Sequence, residues 1–279
     1  MGGRGSQSKR TAYSRILPQN MQQVTQQEDE DTDDQDTDNA TTGDIDKIRD
    51  PADILKYLMN TDTAGADAML AQWRAETLDS DNRQQDTDTQ RFFNYIGWAA
   101  EGPVALPEAQ YQQAWQAEGK PTQIYHSDKP YNGVGARQFA AQYMGQGYNF
   151  AGEQYRHFLS GGVHGDGTYF ATTADESSYY GTSQFRGFLN GNAKVITESK
   201  LDSEYRKYSQ KYPALRHVMN RLSTGYGNGY NGARSVFAAM LGYNVIDATY
   251  HSGYSAVLNR KATTVSTKTV KASYGMANW

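Results

Sequence analysis

The 279-residue chain contains no cysteine, which removes disulfide frameworks and thiolate metal sites and suits a cytosolic or redox-indifferent setting. No run of about 20 apolar residues is present, so no transmembrane helix and no membrane partner are expected. Met1 to Arg15 is polar and basic without an apolar core, which argues against secretion by a signal peptide. The net charge is −4 and no local basic patch stands out, so a nucleic-acid partner is not expected. Metal chemistry lacks its spacing: there is no H-E-x-x-H, and His157 and His164 are seven apart. A G-x-S-x-G nucleophile elbow is missing as well, which removes the Ser/His/Asp hydrolase class.

What is present changes character along the chain. Residues 1–45 are Gly, Ser, Gln, Thr and Asp with an acidic run from Glu28 to Asp38, too few apolar groups to offset the entropy of ordering, and read as a disordered acidic tail. Residues 46–118 carry helical spacing. Asp50 and Pro51 form a start signal before Ile54, Leu55 and Leu58; Ala66, Met69, Leu70 and Trp73 recur at the same period; a third helix begins near Asp88 with Phe92, Phe93 and Ile96 inward; Pro107 opens a fourth with Tyr111 and Trp115. A small helical subdomain is expected there. After Pro121 glycine and tyrosine dominate. Strands are predicted at 122–125, 193–197, 244–246, 254–258 and 263–270, and helices at 136–143, 202–211, 214–222 and 233–241. Short strands interleaved with helices, without regular βαβ units, predict an α+β domain over 119–279 with a largely antiparallel, split sheet.

The stretch Gly161 to Gly181 is the densest in chemistry. Gly165 and Gly167 flank Asp166 in a turn, Thr168 to Phe170 read as a strand, and Thr173 or Asp175 can cap a helix on which Ser177 and Tyr180 share a face toward Tyr169. On spacing alone this is a turn, a strand and a capped helix of an ordinary mixed domain. Upstream, Tyr125, His126 and Ser127 close an apolar strand, where a lone histidine is commonly structural.

Taken together these residues resemble the ADP-ribosyltransferase superfamily, in its diphtheria-toxin and PARP branch. Gly-Asp-Gly-Thr-Tyr-Phe-Ala followed by Ser177 and Tyr180 is similar to the second NAD-contact motif, and Tyr-His-Ser at 125–127 to the first, with Ser127 where glycine is commoner. The resemblance spans Thr122 to Lys271. It implies a split antiparallel sheet with surrounding helices that takes NAD as its substrate. His126 would bond the adenosine ribose hydroxyls and the Ser127 backbone would face the nicotinamide amide. Tyr169 and Tyr180 would sandwich the nicotinamide ring, and the Ser177 hydroxyl would bond its amide. The third motif departs: where transferring members place a glutamate, the aligned residue is Ser255, and no Asp or Glu follows Asp247. A carboxylate there would stabilise an oxocarbenium-like ribose, so Asp247 is the first acid to test and Ser255 the position to watch.

The implied activity is mono-ADP-ribosylation of a host protein acceptor with release of nicotinamide. The opening Met-Gly-Gly-Arg-Gly and the Asn259-Arg260 pair resemble phage or prophage members, which implies a virion or host-cytoplasm location and phage structural proteins as partners of the N-terminal part. The alternative is a non-enzymatic virion or head-associated structural protein that retains the fold. A third class, an NAD-dependent dehydrogenase, rests only on Gly227, Gly229 and Gly232, which satisfy G-x-G-x-x-G but follow a predicted helix instead of a strand.

Overall fold

The computed structural model describes residues 45–76, 87–128, 140–141, 143–145, 164–181, 183–224, 227–273 and 276–277. The acidic tail, most of the helix predicted at 136–143 and the opening residues 161–163 of the glycine-rich stretch lie outside them.

Local signals account for the first helices. The Asp50 side chain accepts the Ala52 amide at 2.8 Å and Pro51 opens α1 (Pro51–Asn60). Asp62 accepts the Gly65 amide at 2.9 Å to start α2 (Thr63–Ala75), and Thr87 with Gln90 forms a reciprocal capping box at the head of α3 (Asp88–Tyr95). Their apolar stripes bury Ile54, Leu58, Met69, Trp73, Phe92 and Phe93, with Trp73 edge-on to Phe92 at 4.9 Å. These side chains continue into one hydrophobic core with helices α6 (Glu198–Lys211), α7 (Pro213–Arg221) and α8 (Tyr230–Met240). The described residues, from Ile45 onward, form one compact unit. Helix α4 (Glu108–Ala117) lies apart from that core, its Tyr111 ring 5.5 Å from Phe188.

A polar contact at Asp88 adds to this apolar join between the early helices and the rest. Arg74 donates to both oxygens of buried Asp88 at 2.8 and 2.9 Å, and Asp88 accepts the Ser223 amide at 2.9 Å. The guanidinium beside it and the amide hold the Asp88 carboxyl below its usual range against the opposing effect of burial.

The strands are β1 (Val104–Leu106), β2 (Gln123–Asp128), β3 (Thr168–Ala171), β4 (Ser183–Leu189), β5 (Val195–Thr197), β8 (Val245–Asp247), β9 (Tyr254–Val257), β10 (Thr263–Ser266), β11 (Val270–Ser273) and β12 (Met276–Ala277). A separate short hairpin pairs β6 (Ser223–Thr224) with β7 (Gly227–Asn228). The main sheet runs β1-β10-β4-β2-β3-β9-β8-β5, with β11 on β4 and β12 on β11. Only its outer pairs, β1 with β10 and β5 with β8, are parallel. The mixed α/β architecture with a mostly antiparallel sheet and surrounding helices agrees with the α+β expectation.

Two sequence expectations are corrected, and one strand is additional. The strand predicted at 263–270 is two strands, β10 and β11, with Ser266 bonding Lys268 between them. Helix α6 starts four residues earlier than predicted, because Thr197 caps it through the Lys200 amide. The central strand β4 was not anticipated at all.

Candidate functional site

The sheet's weakest seam lies at its middle. Strand β2 pairs with β4 over six residues but with β3 only at Tyr125↔Ala171, so two half-sheets meet along a short ladder. His126 sits at this seam. Its ring packs between Phe170 and Phe185, with centroids at 5.5 and 5.4 Å, and its Nδ1 lies 2.7 Å from the Tyr169 carbonyl oxygen. A carbonyl can only accept, so Nδ1 carries the proton and Nε2 is the ring's acceptor. Burial pushes the imidazole down to about 4, outweighing the carbonyl contact that favours the cation, so the ring is neutral at pH 7.

Across the same seam, helix α5 (Ala174–Ser178) is pinned to the sheet. Thr173 caps it through the Glu176 amide, the Ser177 hydroxyl donates to Ser127 Oγ at 2.8 Å, and Gln184 donates to Ser127 Oγ at 3.0 Å and to the Ala174 carbonyl at 2.8 Å. Ser127 and Ser177 are both buried. His126, Ser127, Tyr169 and Ser177 are therefore brought together by two direct hydrogen bonds.

Tyr180 behaves differently. Because α5 ends at Ser178, Tyr180 leaves the face of Ser177 and is 56 % exposed, its ring set at 90° and 5.3 Å from Tyr254. The shared face predicted for Ser177 and Tyr180 does not form. The Tyr169 hydroxyl donates to the Gly165 carbonyl at 2.5 Å and its ring neighbours His164 at 6.4 Å. Burial holds the Tyr169 phenol well above its usual range.

The two candidate residues of the last strands are side by side. Asp247 and Ser255 are cross-strand partners in β8 and β9, and Ser255 also faces Phe170 of β3. Asp247 Oδ1 accepts both the amide and the hydroxyl of Thr249, at 2.9 and 2.6 Å, and so starts the short helix α9 (Thr249–Ser252).

Sequence reasoning missed a charged network behind Tyr169. His164 Nδ1 lies 2.8 Å from Glu198, Arg234 bridges Glu198 at 3.3 Å and Asp202 at 3.0 Å, and the Tyr230 hydroxyl donates to Asp202 at 3.1 Å. The only readable trace was the i, i+4 spacing of Glu198 and Asp202 on one helix face. Of the glycines of the G-x-G-x-x-G pattern, which follow α7 and the short β6, Gly232 serves packing, since a Cβ there would fall 1.8 Å from Thr224 Oγ1, whereas a Cβ on Gly229 would meet open space and that glycine serves a φ of +98°. A cavity of about 540 Å³ opens beside the seam, lined by Trp115, Lys120, Tyr125, Thr172 and Arg186, and none of the seven predicted site residues lines it. Among the described residues no cluster of His, Asp or Glu could hold a metal ion, and no helix is long and apolar enough to cross a membrane.

No family model, curated protein or solved structure matches the chain.

Proposed function

We propose that residues 119–279 form an ADP-ribosyltransferase-like domain that takes NAD at the seam of the two half-sheets and transfers ADP-ribose to a host protein with release of nicotinamide. The observation that carries this reading is the His126 contact with the Tyr169 carbonyl, which joins the first and second motifs and sets the histidine tautomer. That tautomer makes Nε2 the acceptor, the role a ribose hydroxyl donor needs, and because Nε2 is buried the seam has to open for NAD to reach it. The Ser127 side chain fits less well. Its hydroxyl already accepts the Ser177 proton, so the Ser177 hydroxyl must rotate before it can donate to an amide oxygen. In the reaction the ribose C1′–nicotinamide bond breaks, nicotinamide leaves with the bonding electrons, and an acceptor nucleophile forms the new bond and loses its proton to solvent or a base.

A second reading has its own support. Asp247 commits an oxygen to a turn and Ser255 brings no carboxylate, which favours a virion or head-associated structural protein retaining the fold without catalysis. One experiment separates the two. Incubating the protein with biotin-labelled NAD and bacterial lysate labels lysate proteins on the transferase reading, and His126→Ala and Tyr169→Ala abolish it. Unlabelled lysate at high protein concentration overturns the transferase reading, and calorimetry with NAD then reports whether binding survives.

A further inference from the structure

The cavity of about 540 Å³ beside the seam has the volume of a small-molecule site, and none of the residues proposed to act on NAD lines it. Its flat apolar walls are Trp115, Pro121 and Tyr125. The indole is fixed in place, because Trp115 Nε1 donates to the Pro121 carbonyl at 2.7 Å. The charged residues of the lining are Arg186 and Lys120, and no acidic residue lines it.

The hydrogen bonds of the wall leave donors over. The Tyr125 hydroxyl donates to Gln123 Oε1 at 2.9 Å, and Arg186 Nη1 donates to the same oxygen at 3.4 Å. A guanidinium can only donate, so the Gln123 amide is fixed in orientation, and its Nε2 has no partner among the described residues. Arg186 is compensated: its Nη2 pairs with Glu108, which does not itself line the cavity. Lys120 is not. It is exposed and makes no ion pair among the described residues. The wall therefore offers two uncommitted donors and one uncompensated positive charge.

Lys120 also holds an uncommon backbone. At φ +59° it is the one described residue other than glycine in the left-handed region, and it directly follows Gly119 at +77°. Its amide donates to the Trp115 carbonyl at 2.8 Å and closes the end of α4. Glycine or asparagine takes this conformation at lower cost. A cation near a helix C-terminus is favourable in itself, but a lysine within the last turn of α4 would serve the helix equally well without the left-handed backbone. Its place at 120, on the wall of the cavity, points to a ligand.

We infer that this cavity binds an aromatic carboxylate, with its ring against Trp115, Pro121 and Tyr125 and its carboxylate on Lys120 Nζ and Gln123 Nε2. A single uncompensated charge suits a monoanion better than a phosphate dianion. The site stands whether or not the seam takes NAD.

The test titrates the full-length protein with 2-naphthoate by calorimetry, with 2-naphthamide, cyclohexanecarboxylate and 2-naphthyl phosphate as comparisons. Naphthoate is expected to bind, the neutral amide and the non-aromatic acid about tenfold more weakly, and the phosphate no more tightly than naphthoate. Lys120→Gly weakens naphthoate binding by about three- to fivefold, as for one exposed ionic contact, while its urea midpoint does not fall. Lys120→Asn, which also tolerates the left-handed region, gives the same loss of affinity. Lys56→Met, at an exposed position on α1, leaves binding unchanged. Absence of naphthoate binding overturns the inference, as does equal binding of the amide or full affinity in Lys120→Gly. Tighter binding of the phosphate overturns the monoanion assignment, and a lowered urea midpoint with unchanged affinity in Lys120→Gly assigns the lysine to α4 instead.

Discussion

The imidazole of His126 reaches across the seam between the half-sheets to the Tyr169 carbonyl oxygen, 2.7 Å from its Nδ1. Holding this ring neutral has a consequence for stability. Its folded-state value near 4 lies below the usual 6.5, so between those values the unfolded chain binds the extra proton. The contribution is complete above pH 6.5 and is lost as pH falls toward 4, at a slope of up to about 1.4 kcal/mol per pH unit. Urea midpoints measured from pH 7 to pH 4.5 are expected to fall more steeply for the native protein than for His126→Gln. Parallel slopes would show that the ring titrates as freely folded as unfolded.

Ser127→Gly removes the hydroxyl that Ser177 and Gln184 share. Folding stability is expected to drop by about 1–2 kcal/mol, since two buried donors lose one acceptor. On the NAD reading the same change releases Ser177, and NAD affinity measured by calorimetry rises. Unchanged or weaker affinity would show that the Ser127–Ser177 contact does not hold back NAD.

Much of this architecture was legible because it is written in local rules. Asp50-Pro51 and the Trp73 and Phe92 stripes gave three helices with their inward faces, because capping and a 3.6-residue period act within a few residues. Strand β4 was not legible. It is buried on both faces, so alternation is lost, and Arg186 and Gly187 interrupt what remains of its β character. Arg186 is tolerated because it pairs with Glu108 from α4, and Gly187 is required because a Cβ would lie 2.7 Å from the Thr264 carbonyl oxygen. Both reasons are tertiary. In the same way, motif order suggested that His126, Ser127, Tyr169 and Ser177 belong together, but the early end of α5 that sends Tyr180 to the surface depends on packing against β2 and β4.

Arg260 shows what the Asn259-Arg260 pair does. Its guanidinium, nearly fully buried, donates to the Tyr143 carbonyl at 2.9 Å and the Ala99 carbonyl at 3.1 Å, while Asn259 donates to Glu101 at 2.5 Å. The pair thus ties the strand end to two other segments. Arg260→Met is expected to cost about 2–4 kcal/mol in urea unfolding, because two buried carbonyls lose their donors. Arg260→Lys, with one compact ammonium in place of a fork, recovers part of that loss. A neutral Arg260→Met would remove the anchoring role.

Gly232 separates a packing role from a phosphate-cradling one. The first residues of α8 lie so close to β6 that a Cβ on Gly232 would meet Thr224 Oγ1 at 1.8 Å, its Cβ at 2.6 Å and its Cγ2 at 2.8 Å. No rotamer of a β-branched side chain removes all three conflicts, since the Cβ does not move with χ1. Gly232→Ala should therefore lower stability by about 2 kcal/mol or more through overpacking. Shortening the opposing residue relieves the clash, so Thr224→Gly should be less damaging in the Gly232→Ala background than in the native one, a favourable coupling read from a double-mutant cycle. A nucleotide cradle makes the opposite demand. There Gly232→Ala would weaken NAD binding with no rescue by Thr224→Gly, and that pattern would restore the dinucleotide-binding reading of the glycine motif.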